Sequence, residues 1–288
     1  MREEAYEKIC RIAMADPGHR GLSSHCSGQP PIQELARQLA EGKRAMLISG
    51  FPVRTETGPV GETDGPSGIA WLARALDLLG VEVRVYTDDL CRPQLEAALD
   101  YAAPGVSLHR IPGEAVPDFA RREVEAFAPD RFITLERPGC AADGVCYNMN
   151  ARSISDLVVD AEPLFTEAAT HGVLTVAVGD GGNEMGMGCC RPLVERHVKY
   201  GDVICARQEA DYTLMGGVSN WWGWGLVAAL SLRTGRDLLP TADREEELLC
   251  RVVRSGGADG STARHELTVD GLPLALHLEV LNSLRQVL

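Results

Sequence analysis

The segment VGDGGNEMGMG, residues 178–188, combines five glycines with the carboxylates of Asp180 and Glu184. It follows VLTVAV, an apolar run typical of a buried strand. Glycine-rich turns after strands commonly bind phosphate, but Asp180 would place a negative charge in such a pocket. Two like unit charges about 4 Å apart repel by roughly 4 kcal/mol at an effective dielectric constant of 20. The segment therefore favours a cation or an ammonium group as its ligand.

Neither of the common nucleotide-binding motifs is present. Read from Gly179, the pattern G-x-G-x-x-G fails because Glu184 occupies the position of the last glycine, and the pattern G-x-x-x-x-G-K-[ST] does not occur. We therefore expect no nucleotide cofactor.

Two further segments carry the same mixture of glycine and charge. GFPVRTETGPVGETDGPSG, residues 50–68, contains Arg54, Glu62 and Asp64, and ERPGCAADGVCYNMN, residues 136–150, contains Arg137. Carboxylate oxygens are suitable ligands for Mg²⁺ or Mn²⁺. The same acids could bind a substrate ammonium group or transfer protons as an acid/base pair. The predicted metal ligands are Glu62, Asp64, Asp180 and Glu184.

Structural roles compete with these chemical ones. Asp180 could cap a helix, and Asp64 or Thr63 could cap the helix that Pro66 begins. Arg137 could pair with the neighbouring Glu136. In SNWWGWGLVAAL, residues 219–230, Ser219 and Asn220 could act either as helix caps or as ligand donors.

The pattern of elements predicts an α/β fold with a mostly parallel sheet and helices on both faces. In such sheets ligands bind beyond the carboxyl ends of the strands, which is where we expect an acidic cavity. The predicted strands are 45–51, 81–87, 106–111, 131–136 and 173–179, with weaker signals at 203–206 and 211–215. The predicted helices are 3–14, 32–41, 66–79, 91–102, 115–127, 160–171, 218–232, 243–254 and 273–287. Residues 51–65 lack periodicity.

Composition limits the functional class. The 288 residues carry a net charge of −13, which argues against nucleic acid or an anionic membrane surface as a partner. No apolar stretch approaches the roughly 18 residues of a membrane span. The nine cysteines show no C-x-x-C spacing, and we expect most of them to be reduced in a cytoplasmic protein. We expect one catalytic domain over residues 1–288, and we also consider a homodimer.

Five motifs resemble, in order, those of the D-glutamate cyclase family. They are TGPVGETDGPSGIAWLARAL, ERPG with DGVCYNM, VGDGGNEMGMG, SNWWGWGLVAAL and GGADGSTARHELTVDGLP. The matching region covers roughly residues 45–287. The sequence looks like a stand-alone form similar to the C-terminal part of a larger mitochondrial enzyme. Two positions depart from the family pattern: Cys140 stands where we expect a basic residue, and NAR, residues 150–152, lacks an expected glycine.

The resemblance implies a lyase that converts D-glutamate to 5-oxo-D-proline and water in D-amino-acid metabolism, with a metal-binding acidic cavity. It directs attention to Tyr147 as well as to the residues already named. On the chemistry of that reaction, Asp180, Glu184 and Glu62 are the predicted catalytic residues. The predicted substrate-binding residues are Arg137, Arg54, Gly181, Gly182, Asn183, Asp143, Asn148, Ser219 and Asn220, with the amides of Gly181 and Gly182 stabilising an oxyanion.

Two other functions fit the same residues. A metal-dependent phosphohydrolase would use the acids to hold Mg²⁺ or Mn²⁺ near a phosphate. A non-catalytic binder of an amino acid or a cation would use them for recognition alone.

Overall fold

The computed structural model describes residues 2–19, 22–26 and 30–288. Ten strands occur in this part of the chain. They are β1 (Arg44–Ser49), β2 (Pro52–Thr55), β3 (Gly58–Gly61), β4 (Glu82–Thr87), β5 (Ser107–Arg110), β6 (Arg131–Leu135), β7 (Leu174–Gly179), β8 (Tyr212–Met215), β9 (Thr268–Val269) and β10 (Leu272–Pro273).

Eleven α-helices accompany the strands in the described residues. They are α1 (Arg2–Ala13), α2 (Ile32–Ala40), α3 (Pro66–Leu78), α4 (Arg92–Ala102), α5 (Val116–Phe127), α6 (Glu162–Thr170), α7 (Arg191–His197), α8 (Gly201–Ile204), α9 (Ser219–Thr234), α10 (Ala242–Arg254) and α11 (Leu274–Arg285).

Six strands form a parallel sheet in the order β5-β4-β1-β6-β7-β8. The chain starts in the middle at β1, moves outward to β5, and then returns to build the other half from β6 to β8. Ligands of doubly wound sheets bind at the point where the strand order reverses, here between β1 and β6. The two segments that follow these strands are joined there, because the Gly50 N–H donates to the Glu136 carbonyl oxygen at 3.0 Å.

Both faces of the sheet are covered, which explains why its strands are almost wholly apolar. In β1, Ala45 and Leu47 belong to the larger core, which includes α1 to α4 and α9 to α11. Met46 and Ile48 point the other way, into a core formed with α5 and α6. The predicted α/β fold with a parallel sheet and helices on both faces is confirmed.

Helix α9 lies at the centre of the larger core and is buried from Ser219 to Ser231. Its approach to α3 depends on glycine. A methyl group added at Gly68 would lie 2.9 Å from the Asn220 Cα, and one added at Gly223 would lie 2.6 Å from the carbonyl carbon of Gly68. The two helices therefore pack backbone against backbone.

Two local predictions differ from the structure. Residues 203–206, predicted as a weak strand, overlap α8, in which the Ile204 N–H donates to the Tyr200 carbonyl oxygen at 3.0 Å. A short apolar run does not distinguish a strand from a helical turn, and here the backbone bonds locally. The aperiodic stretch 51–65 contains the hairpin β2–β3, whose strands are only four residues long.

All nine cysteines lie in the described residues, and none of them forms a disulfide bond. Within the described ranges, none of the helices combines the length and apolar character needed to cross a membrane. The single catalytic domain, the cytoplasmic location and the homodimer stay predictions.

Candidate active site: an acidic cavity at the carboxyl ends of the strands

A cavity of about 480 Å³ opens beside the point where the strand order reverses. Four acids and two arginines contribute to its wall. The lining residues are Phe51, Pro52, Val53, Arg54, Glu62, Glu136, Asn148, Met149, Asn150, Arg152, Ile154, Asn183, Glu184, Gly260, Ser261, Ala263 and Asp270. Residues from all three motif segments meet here, together with the loop after α10.

The glycine-rich turn after β7 is filled by its own glutamate. Glu184 Oε1 accepts the N–H groups of Asp180 (3.1 Å) and Gly181 (2.8 Å), and Oε2 accepts that of Gly182 (2.7 Å). A methyl group at Gly179 would lie 2.6 Å from the same carboxylate, so no larger residue fits there. The turn does bind an anion, as its glycines suggest, but the anion is Glu184.

This arrangement corrects two expectations. The amides of Gly181 and Gly182 already donate to Glu184, so they are not directed at an oxyanion of a substrate. No helix begins at Asp180 either, because residues 180–187 form turns and isolated bridges. The alternative in which Asp180 caps a helix is therefore wrong.

Asp64 and Asn220 cap each other's helices. Asp64 accepts the N–H groups of Ser219 (2.8 Å) and Asn220 (2.9 Å), which begin α9. The Asn220 side-chain oxygen in turn accepts the N–H groups of Gly65 (3.1 Å) and Gly68 (2.7 Å) at the start of α3. Asp64 does serve as a cap, but for α9, and not for the helix that begins at Pro66.

Glu136 is the central acid of the site. It is a buried residue at the carboxyl end of β6, with a φ of +48°, a backbone conformation rare outside glycine and frequent at functional sites. Its Oε2 accepts a hydrogen bond of 2.6 Å from the Ser219 hydroxyl group. Burial, followed by the negative charges of Asp180, Glu184, Glu62 and Asp64, raises the pKa of Glu136 well above its usual range.

The sequence pattern predicted Glu136 only as a possible partner for Arg137. The available signal was its position as the last residue of a predicted strand, where the carboxyl ends of the sheet gather ligand-binding residues. No ion pair joins Glu136 to Arg137 in the part of the chain that the structure describes, because Arg137 pairs with Asp88 and Glu136 accepts a hydrogen bond from Ser219.

Arg137 is instead held inside the protein. Its Nη1 lies 2.9 Å from Asp88 Oδ2, with both side chains buried, and its Nη2 donates to the Val159 carbonyl oxygen at 2.6 Å. Arg137 is not among the residues that line the cavity. Its predicted role in binding substrate stays untested, but the structure gives its guanidinium a structural partner.

Arg54 does line the cavity, and it is exposed. Its Nη2 donates to both carboxylate oxygens of Asp156 at 2.7 Å. Asp143 lies in an exposed loop, where its carboxylate accepts the Tyr147 hydroxyl group at 2.7 Å, outside the cavity wall.

Asn183 connects the two motif segments. Its side-chain N–H donates to the Tyr147 carbonyl oxygen at 2.7 Å, and its own carbonyl oxygen accepts the Gly139 N–H at 2.9 Å. Asn148 shapes the next turn by accepting the N–H groups of Asn150 (3.0 Å) and Arg152 (3.1 Å). Asn148 and Asn183 therefore fix the wall of the cavity.

Glu62 lines the cavity next to the loop after α10. Any side chain at Gly260 would overlap the Glu62 carboxylate, so this carboxylate rests against bare backbone. Cys140, which replaces an expected basic residue, packs with Cys146, Phe51 and Ile154 in a small apolar cluster and does not line the cavity.

A metal ion would find one suitable set of acids here. Oxygen atoms of Asp64, Glu136 and Asp180 lie within 4.8 Å of one another, and all three residues are buried. Carboxylates are the ligands that Mg²⁺ and Mn²⁺ prefer, so these residues could hold such an ion. Two of the four predicted metal ligands belong to this group, whereas Glu62 and Glu184 do not.

Fold and site together define an α/β protein with an acidic cavity at the reversal point of a parallel sheet. Residues 9–285 match the family model described as D-glutamate cyclase-like, C-terminal. The chain is also 31% identical over 311 residues to the mitochondrial D-glutamate cyclase of Homo sapiens, covering 94% of this chain and 50% of that protein. The chain belongs to the D-glutamate cyclase-like family, which confirms the resemblance, and it spans about half the length of this human relative.

Proposed function

We propose that this protein is an enzyme that cyclises D-glutamate to 5-oxo-D-proline with release of water. Its family and the name of its human relative support a small-molecule cyclase. The observation that carries the proposal is the meeting of Glu62, Glu136 and Glu184, from three separate segments, in one cavity that also has arginines in its wall.

The reaction sets a clear proton requirement. The amine nitrogen forms a bond to the side-chain carboxyl carbon, and one C–O bond of that carboxyl group breaks. Two protons leave the ammonium nitrogen, and two protons leave with the departing oxygen as water, so the net charge of the substrate is unchanged. A suitable site needs one acid that donates a proton and one carboxylate that accepts one.

The cavity offers candidates for both roles. Glu136, with its raised pKa, is the proton donor to the departing oxygen. Glu62, which comes from a different loop and also lines the cavity, is the carboxylate that binds the ammonium group and accepts its proton. Asp180, one of the three clustered acids, has a carboxylate oxygen within 4.8 Å of one of Glu136, and its negative charge helps to keep Glu136 protonated.

Glu184 takes a different part from the one predicted. Its oxygens are occupied by three backbone N–H groups, so it shapes the turn and contributes negative charge beside Glu136. If Mg²⁺ or Mn²⁺ binds to Asp64, Glu136 and Asp180, Glu136 would be ionised and a ligand instead of the proton donor, and the ion would supply Lewis-acid polarisation of the carboxyl group.

The test is to incubate the purified protein with D- or L-glutamate and to measure 5-oxoproline by chiral chromatography, with EDTA or with added Mg²⁺ or Mn²⁺. We expect turnover of the D form only. Loss of a positioned acid or base costs about 10²- to 10⁴-fold in rate. We therefore expect Glu136→Gln and Glu62→Gln to lower kcat by that factor while melting near the wild-type temperature.

Glu209→Gln, at an exposed position outside the cavity, is the matched control and should keep full activity. A folded protein that is stabilised by D-glutamate but forms no product would be a binder and would contradict the proposal. EDTA-sensitive release of phosphate from a panel of phosphoesters, without 5-oxoproline, would instead identify a phosphohydrolase.

A further inference from the structure

The cavity must balance its own negative charge if it is to accept an anion. Four acids line it, namely Glu62, Glu136, Glu184 and Asp270, and the only cationic side chains among the described lining residues are Arg54 and Arg152. A dicarboxylate would be repelled by this wall unless an arginine met one of its carboxylates.

The two arginines are not equivalent. Arg54 is already paired with Asp156 through two contacts of 2.7 Å. The exposed side chain of Arg152 takes part in none of the ion pairs or side-chain hydrogen bonds found among the described residues. Its guanidinium group therefore remains available for a ligand.

The backbone that carries Arg152 is fixed. Its N–H donates to the Asn148 side-chain oxygen at 3.1 Å, and its carbonyl oxygen accepts the Asn148 N–H at 3.0 Å. Between them, Ala151 has a φ of +53° and donates its N–H to the Asn148 carbonyl oxygen at 3.0 Å. The turn 148–152 is thus closed by two backbone–backbone hydrogen bonds and by a third that the Asn148 side chain accepts.

This turn is also tied to the acidic part of the site. Tyr147, which precedes it, accepts the Asn183 side-chain N–H at 2.7 Å, and Asn183 directly precedes Glu184. Tyr147 and Ser153 form an antiparallel bridge that closes the base of the turn. The position from which Arg152 projects is therefore set relative to the glycine-rich turn.

We propose that Arg152 binds the α-carboxylate of the substrate and so selects amino acids that carry a free α-carboxylate. This inference rests on the proposed cyclisation, in which the side-chain carboxyl group reacts and the α-carboxylate does not. A planar guanidinium forms two parallel hydrogen bonds to such a group. Arg152 takes the role that the sequence analysis gave to Arg137 or Arg54, and Asn148 and Asn183 are its positioning residues.

The test compares Arg152→Met and Arg152→Lys with the wild-type protein on two substrates, D-glutamate and D-isoglutamine, whose α-carboxylate is replaced by an amide. A charge-assisted hydrogen bond is worth about 10- to 100-fold in affinity. We expect Arg152→Met to raise KM for D-glutamate by that factor with a smaller change in kcat. We also expect Arg152→Met to lose most of the wild-type preference for D-glutamate over D-isoglutamine. The preference of Arg152→Lys should lie between those of the wild type and Arg152→Met.

Arg11→Met, which removes an exposed arginine on α1, should leave both KM values unchanged. An Arg152→Met protein that melts like the wild type and keeps its KM and its preference would overturn this inference and leave the proposed function standing.

Binding of glutarate, a five-carbon dicarboxylate without an amine, separates the two proposals by calorimetry. If wild-type protein forms no 5-oxoproline but binds glutarate, and Arg152→Met does not, carboxylate binding by Arg152 stands and the cyclase proposal fails. If wild-type protein neither turns over D-glutamate nor binds glutarate, both are overturned.

Discussion

Gly68 and Gly223 bring α3 and α9 into direct backbone contact. Neither position has room for a side chain, since a methyl group on Gly223 would overlap the Gly68 backbone. The contact lies next to Asp64 and Asn220, which cap the same two helices. The packing of the two glycines thus fixes the relative position of the helices that Asp64 and Asn220 cap.

Gly223→Ala should therefore destabilise the protein. Overpacking of a well-packed core costs about 1–3 kcal/mol or more. Here the added methyl group would clash with backbone atoms, which cannot move aside as a side chain can. The free energy of unfolding from urea titration measures this cost. Gly113→Ala is the matched control, because a methyl group there meets no atom within 4 Å. Equal stability of the two variants would contradict the packing described here.

Arg137→Met should be among the most destabilising single changes at the site. It would leave Asp88 as a buried charge without its guanidinium partner, and breaking such a pair costs about 3–5 kcal/mol. Arg54→Met breaks an exposed ion pair and should change stability by about 0–1 kcal/mol. If Arg137→Met were as stable as the wild type and only its KM rose, Arg137 would be a substrate ligand after all.

Glu184→Gln should weaken the glycine-rich turn. The amide NH₂ group of glutamine would face a backbone N–H where a carboxylate oxygen now accepts it, and an unsatisfied buried donor costs about 1–3 kcal/mol. Thermal unfolding measures the loss, with the exposed Glu209→Gln as reference. A Glu184→Gln variant with the wild-type melting temperature and no activity would contradict this structural role and support the predicted catalytic role of Glu184.

Glu245 should make stability depend on pH. This fully buried carboxyl group accepts hydrogen bonds from Ser67 and Trp71, and burial raises its pKa from 4.5 to about 7. Between these values the folded protein binds a proton that the unfolded chain does not. The contribution of Glu245 to the free energy of unfolding is therefore greatest below pH 4.5. It decreases by about 3 kcal/mol in total as the pH rises through 7.

The measurement is the free energy of unfolding of wild type minus that of Glu245→Gln, from pH 4 to 9. We expect this difference to fall across pH 4.5–7 and to level off above it. Glu246→Gln, at the exposed neighbouring position, should follow the wild-type curve. A pH-independent difference for Glu245→Gln would show that Glu245 titrates normally.

The parallel sheet and the three motif segments could be predicted from the sequence because they depend on local patterns. Apolar runs predicted the buried strands. Because ligands of such sheets bind beyond the carboxyl ends of the strands, Glu62 and Glu184 were then expected in one cavity. The roles of single carboxylates could not be predicted in this way. Whether Glu184 faces a ligand or folds back on its own turn depends on backbone angles that the residue types do not specify.

Glu136 shows the same limit over a longer range. Its direction follows from a φ of +48° and from a hydrogen bond to Ser219, 83 residues further along the chain. The sequence pattern of one segment cannot predict a hydrogen-bond partner that lies in a distant segment. The ion pair of Arg137 could not be predicted for the same reason, since its partner Asp88 follows a different strand of the sheet.

The Glu184 carboxylate that fills the glycine-rich turn is covalently part of the chain. Its concentration at the turn is therefore independent of the composition of the buffer. Dialysis removes no ligand from that turn, and added phosphate or sulfate meets a position that is always taken. The conformation of the glycine-rich turn is thus stabilised by the chain itself and does not depend on a dissolved anion.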